Sequence, residues 1–202
     1  MEPASTAYPT YPATLTVETP EKIANWRPLV QWFLAIPHYV VLYALGIVAE
    51  VVALIAWFAI LFTGKLPEGL AGVQALYLRY TNRTYAYAGF LREEYPPFTF
   101  GTTAVDPGDY PGVRTDFVYQ LEDRNRLTTF FRIILVIPHL IVLAVLSFVA
   151  SIVWFIALFV VLFTGSWPEG MRNFVLGFLR WSLRVNAYFL LLTDEYPPFS
   201  LD

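Results

Sequence analysis

A long apolar run holding one charge limits this chain more than any other feature. Between Tyr39 and Phe62, within IPHYVVLYALGIVAEVVALIAWFAILFTG (36–64), 24 residues include a single charged side chain, Glu50. At 1.5 Å per residue, about 20 such residues cross the roughly 30 Å hydrocarbon core of a bilayer. A buried strand is far shorter, and a soluble core helix carries a polar stripe. The run therefore reads as a membrane-spanning helix. The pattern returns as IPHLIVLAVLSFVASIVWFIALFVVLFTG at 137–165, so the expectation is an all-α membrane protein built by duplication.

The two copies align without a gap. Pro37 and Pro138, Gly64 and Gly165, and Tyr95 and Tyr196 each stand 101 residues apart. The chain divides into an extended tail (1–20), a first membrane repeat (21–98), a Gly/Pro/Asp linker (99–116) and a second membrane repeat (117–202). In the first repeat, Glu21–Ile36 reads as an interfacial helix with Trp26 and Trp32 at headgroup depth, leading through a kink at Pro37 into the span. Gly64 caps the span, and Pro67 with Glu68 opens a return helix that runs through Leu70–Arg92 and stops before the EYPPF turn. Short strands at Leu15–Glu18 and Phe117–Tyr119 are too small to stand alone and are expected to pair.

The motifs IPH, FTGxxPEG, LRWSLRVNAY and DEYPPFSL resemble a bacterial integral-membrane family known only as a domain of unknown function. The likeness covers nearly the whole chain, once per repeat, and is closer in the second; the first replaces LRWSLRVNAYFLL with LRYTNRTYAYAGF. It implies a membrane protein and carries no activity.

With 57% hydrophobic and only 14% charged residues the composition is not that of an ordinary soluble domain, and a net charge of −3 gives no basic field for nucleic acid. No cysteine is present, which excludes disulfides and thiolate chemistry. No phosphate loop, HExxH, G-x-S-x-G or credible nucleophile–base pair occurs, so no catalytic or metal-binding residue is assigned and the expectation is a protein that is not an enzyme.

Two membrane arrangements compete. In a four-helix hairpin bundle the return helices also span; termini and linker then share a side with seven Lys/Arg against two at the turns, a cytoplasmic placement in a bacterial inner membrane by the positive-inside rule. Alternatively only two helices span and the return helices lie in the interface, their arginines toward headgroups. Apolar Val185–Leu192 favours the hairpins, since an in-plane helix keeps a polar face.

Three sets of residues merit attention. Glu50 is the costliest side chain in the span and sits at a depth suited to an ion pair with Arg79 or Arg83, or to proton or cation handling. Arg79, Arg83, Arg180 and Arg184 recur at i, i+4 in both return helices and suit an anionic lipid headgroup, helix orientation or an internal salt bridge. His38 and His139, the only histidines, occupy equivalent places; they suit haem or pigment ligation, or capping of backbone freed beside the prolines. No cofactor is expected on balance. The reading is a non-catalytic accessory or scaffolding subunit of a membrane protein assembly, embedded in the bilayer with membrane protein partners. A small transporter or lipid-handling protein comes second and a haem- or pigment-binding electron-transfer subunit third.

Overall fold

The computed structural model describes residues 11–202; of the tail expected over 1–20, residues 1–10 lie outside the described residues. The protein is mostly helical. Its elements run β1 (Ala13–Val17), α1 (Arg27–Leu34), α2 (Ile36–Thr63), α3 (Glu68–Ala88), β2 (Val113–Phe117), α4 (Arg126–Phe130), α5 (Arg132–Thr164) and α6 (Glu169–Phe189). Each repeat is thus a short entry helix, a long apolar helix and a return helix.

Local chemistry sets the boundaries. The entry helix is shorter than the 21–36 expected from sequence, and the chain breaks at Ala35. Pro37 sits in the first turn of α2, where its missing N–H has no partner to lose. Pro138, its counterpart, lies inside the continuous α5. Gly64 and Gly165 end α2 and α5 in the left-handed region, at φ 72° and 68°, and their N–H groups donate to Ile60 O and Val161 O, each at 2.8 Å. Pro67 and Pro168 follow in extended conformation, and Glu68 and Glu169 place a carboxylate in the first turn of α3 and α6.

These elements stack in three layers. α2 pairs with α3 and α5 with α6, and α3 also meets α6. On the other face of the return helices lies the β1–β2 ribbon, β1 against α6 and β2 against α3. The expected strand pairing is present as an antiparallel ribbon with Leu15 opposite Thr115, although β2 begins earlier than Phe117. Ala13, Leu15, Val17, Val113, Thr115 and Phe117 point inward and are buried, while Thr14, Thr16 and Arg114 face out. The all-α expectation therefore gains a small polar-faced ribbon.

The repeats exchange their entry segments. Ile23 N–H donates to Gly165 O (2.7 Å), and its counterpart Arg124 N–H donates to Gly64 O (3.1 Å). Asn25 Nδ2 reaches Leu162 O, and Trp57 Nε1 reaches Thr129 O. The start of each repeat thus docks at the end of the other's long helix, which sets α2 and α5 antiparallel about a pseudo-twofold axis.

The long helices bury one narrow stripe and expose the rest. Ala49, Ala56 and Ile60 on α2, and Ala150, Ala157 and Val161 on α5, face inward. Val40, Tyr43, Ile47, Val51, Leu54, Phe58 and Phe62 stand exposed at steps of three or four, as do Ile137, Ile141, Val145, Phe148, Ile152, Phe155, Phe159 and Phe163. Among the described residues two helices, α2 and α5, are long and apolar enough to cross a membrane.

Candidate functional site

Gln74 Nε2 donates to Ala49 O (2.8 Å), and Tyr80 OH meets His38 Nδ1 (2.6 Å), so these two side chains define the face of α3 that touches α2. Arg79 and Arg83 leave the opposite face. The expected ion pair of Glu50 with Arg79 or Arg83 is not formed: Gln74, not Arg79, meets α2 beside Glu50, the arginines point away from α2, and Glu50 stands exposed on the outer face of α2 among Ile47, Val51 and Leu54.

The arginines instead hold the linker. Arg79 Nε lies 3.3 Å from Asp106 Oδ2, and its Nη groups donate to the carbonyls of Gly101 (3.0 Å), Thr103 (2.8 Å) and Thr115 (3.2 Å). Arg83 Nη2 is shared by Asp106 Oδ1 (2.9 Å) and Asp109 Oδ1 (2.5 Å), while Nη1 donates to Thr99 Oγ1 (3.0 Å). Asp106 is buried and also accepts from the N–H groups of Gly108 and Thr115. A buried carboxylate is tolerable only with its lone pairs occupied in this way. Burial pushes the Asp109 carboxyl up, but hydrogen bonds from Thr99 and Arg83 outweigh it and hold the group below its usual range.

Arg180 and Arg184 meet a different environment. Arg180 Nε donates to Leu15 O (3.3 Å) and Arg184 Nη2 to Ser200 O (2.5 Å). Among the described residues no carboxylate lies within ion-pairing distance of either.

Each histidine occupies its own aromatic box. His38 stacks on Phe98 (centroids 4.3 Å apart) beside Tyr95 and Tyr80; His139 stacks on Phe199 (3.9 Å) beside Tyr196 and Trp181. Both are fully buried, and Nε2 of each has no hydrogen-bond partner. The structure thus brings the IPH and EYPPF motifs of each repeat together and keeps the two histidines in separate enclosures.

A second buried charge cluster escaped the sequence reading. Asp194 Oδ1 accepts from Arg124 Nη2 (2.7 Å) and Arg132 Nη2 (2.5 Å), and Oδ2 accepts from Asn125 N–H (2.7 Å). Burial raises its carboxyl, yet the Arg124 hydrogen bond, the Asn125 N–H and the two guanidinium charges together hold it below the usual range. Its counterpart Glu93 accepts from Ala24 N–H, the counterpart of Asn125 N–H. The acid two residues ahead of each YPPF was visible in both copies as the available signal.

A family model described as Domain of unknown function (DUF4389) matches residues 25–99 and again residues 126–200. No curated protein and no solved structure matches the chain. The chain belongs to the DUF4389 family and carries its domain twice.

Proposed function

We propose that this two-copy DUF4389 protein is a non-catalytic accessory subunit of a membrane protein assembly, seated in one leaflet through the outward faces of α2 and α5. The observation that carries the reading is the one-sided distribution of its surface. Continuous apolar faces of this extent mark membrane or protein contact, and α1 and α4 extend them with exposed Trp26, Trp32, Phe33, Phe130 and Phe131. The ribbon and linker, with outward Thr14, Thr16, Arg114 and Asp109, lie on the opposite side.

That layer order favours seating in the plane of the membrane over four spanning helices. Arg79 sits between Gln74, which reaches Ala49, and Tyr80, which reaches His38. The linker it holds therefore runs beside the first half of α2. Upright helices would set that irregular, charged backbone in hydrocarbon, where lipid-exposed loops do not occur. Lying flat, α2 and α5 sink their outward faces into the leaflet while the return helices, in place of a polar face of their own, cover the inward side, and the polar layer faces the cytoplasm of a bacterial inner membrane.

Because the chain has no cysteine, single-cysteine variants test this without background. Cysteines at Thr14, Lys65 and Arg172 are expected to react with a membrane-impermeant maleimide from the same side, with Ile47 and Leu54 protected. Labelling of Lys65 and Thr14 from opposite sides would sink the in-plane seating. A second reading, lipid handling, is favoured by an apolar cleft of about 430 Å³ between Tyr39, Tyr85, Trp154 and Phe155. Stoichiometric lipid retained on native mass spectrometry, with no protein partner, would move the assignment there.

A further inference from the structure

α2 packs on α3 and α5 on α6, and a trough runs between the two long helices. Its walls are the flanks that α2 and α5 turn toward each other. On α2 that flank is Gly46, Glu50, Ala53 and Trp57; on α5 it is their counterparts Ser147, Ser151, Trp154 and Leu158, at the same steps of four, three and four. The trough widens at each end. One cleft, of about 290 Å³, lies between Ala53, Leu54 and Trp57 of α2 and Ile133 and Phe189 of the second repeat. The other is the cleft of Trp154 and Tyr85, which Ser151 also lines. Between them a cavity of about 190 Å³ sits on the pseudo-twofold axis, where Thr81 meets its counterpart Ser182 and Tyr85 meets Asn186.

The polar groups of the long helices gather in this trough. The non-aromatic polar residues of 40–62 and 140–163 are Glu50, Ser147 and Ser151, and all three lie on these flanks. Ser151 satisfies its hydroxyl on its own helix, at Phe148 O (2.7 Å). Glu50 has no such recourse. It is exposed, and among the described residues no cation stands within ion-pairing distance of it. Arg132, in the wall of the adjoining cleft, directs its Nη groups to Asp194 and to the carbonyls of Tyr188 and Thr193. An ionised carboxylate on a membrane-facing surface is costly until a cation joins it.

We propose that the trough receives the cytoplasmic end of a partner's membrane-spanning helix, a lysine or arginine of which pairs with Glu50 while its apolar side chains fill the cleft beside Ala53 and Trp57. Charge and position both select this occupant. Spanning helices carry Lys and Arg at their cytoplasmic ends, and the seating proposed above puts this protein in the cytoplasmic leaflet. A lipid ammonium stays at headgroup depth, whereas the trough opens on the underside of α2 and α5, toward the acyl chains. A side chain borne on a helix brings a cation there. The inference rests on the accessory-subunit reading and its in-plane seating, and it names the partner's chemistry.

The probe is a labelled spanning peptide of leucine and alanine with a single lysine at one end, reconstituted with the full chain in phosphatidylcholine vesicles and followed by energy transfer. One-to-one association is expected, weakened at least about tenfold by Glu50→Gln and by a similar factor when the peptide's lysine is replaced by glutamine. Carbodiimide coupling with peptide mapping is expected to join that lysine to Glu50. Glu50 holds no partner within the fold, so Glu50→Gln keeps its structure; Glu169→Gln, an exposed acid in the first turn of α6, is the control with unchanged binding. Ile133→Trp fills the adjoining cleft from an exposed position and is expected to weaken association without touching the charge. No association, coupling at another carboxylate, or indifference to Glu50→Gln, to the lysine or to Ile133→Trp overturns the proposal. So does a comparable loss of peptide binding when half of the phosphatidylcholine is replaced by phosphatidylethanolamine, which assigns Glu50 to a lipid amine. Failed association with Thr14 and Lys65 labelled from one side discards this inference alone; labelling from opposite sides discards the seating and the inference with it.

Discussion

Gln31 and Arg132 hold the same place in the two repeats and make the same bond. Gln31 Nε2 donates to Arg92 O (2.6 Å), and Arg132 Nη1 donates to Thr193 O (2.7 Å), carbonyls that are themselves counterparts. The guanidinium reaches further than the amide. It also ion-pairs with Asp194 and lies 4.0 Å from the centroid of the Tyr188 ring. The second repeat thus carries a charged peg where the first carries a neutral one, and the charged peg depends on a partly buried acid.

Removing that acid is expected to be more harmful than removing the charge it balances. Asp194→Asn strands two buried guanidiniums, Arg124 and Arg132, at a cost of about 3–5 kcal/mol. Arg132→Gln copies the first repeat, leaves Asp194 paired with Arg124, and is expected to cost less than half as much. Chemical unfolding of the purified protein in detergent gives the ranking; equal losses would contradict it.

Stability is expected to fall in acid through Asp109 and Asp194. Both carboxyls are held below their ordinary value in the folded state. A depressed folded pKa contributes stability that is present above the unfolded value, about 3.9, and is lost as pH falls through the folded one. The unfolding midpoint is therefore level from neutral pH to about 5 and drops below about 4. Asp109→Asn and Asp194→Asn are each expected to flatten the drop.

His139 is expected to be the neutral tautomer that carries its proton on Nε2. The indole N–H of Trp181 only donates, and it points at His139 Nδ1 from 3.2 Å. Nitrogen-15 shifts of labelled histidine read this directly. A protonated Nδ1 would contradict the arrangement, and Trp181→Phe is expected to shift the Nδ1 resonance while leaving His38 unchanged.

The two helix-capping glycines are expected to differ. Alanine at either Gly64 or Gly165 incurs roughly 1–2 kcal/mol for a left-handed backbone. At Gly64 the added methyl meets the flexible end of Arg126 at 3.4 Å; at Gly165 it meets Asn25 Oδ1 at 2.9 Å and the Ile23 carbonyl at 3.0 Å. Gly165→Ala is expected to be the more destabilising in thermal denaturation, because it also displaces the first repeat's entry segment, which docks there.

What could be read from the amino-acid order was whatever depends on neighbours in the chain. The apolar runs, the glycine caps, the proline-opened return helices and the 101-residue repeat are all local or periodic signals, and each has its element in the structure. The facing of Arg79 and Arg83 was not legible. Counting residues around a hairpin sets Arg79 level with Glu50, whereas the packing puts Gln74 there, and which side of α3 the arginines leave depends on Asp106 and Asp109, which lie more than twenty residues downstream in a stretch with no periodicity. The histidine boxes were half legible. IPH and EYPPF recur together, yet only the folded hairpin reveals that Phe98 and Phe199 stack on the imidazoles.

The exchange of Ile23 and Arg124 between Gly165 and Gly64 makes each repeat the missing partner of the other. A single repeat, cut from its twin, would leave the end of its own long helix undocked and its entry segment without a carbonyl to bind. Two identical copies satisfy both needs at once. The chain is in that sense a dimer whose subunits share one covalent join, and the join is itself structural, since its aspartates close the arginine pair of the first half.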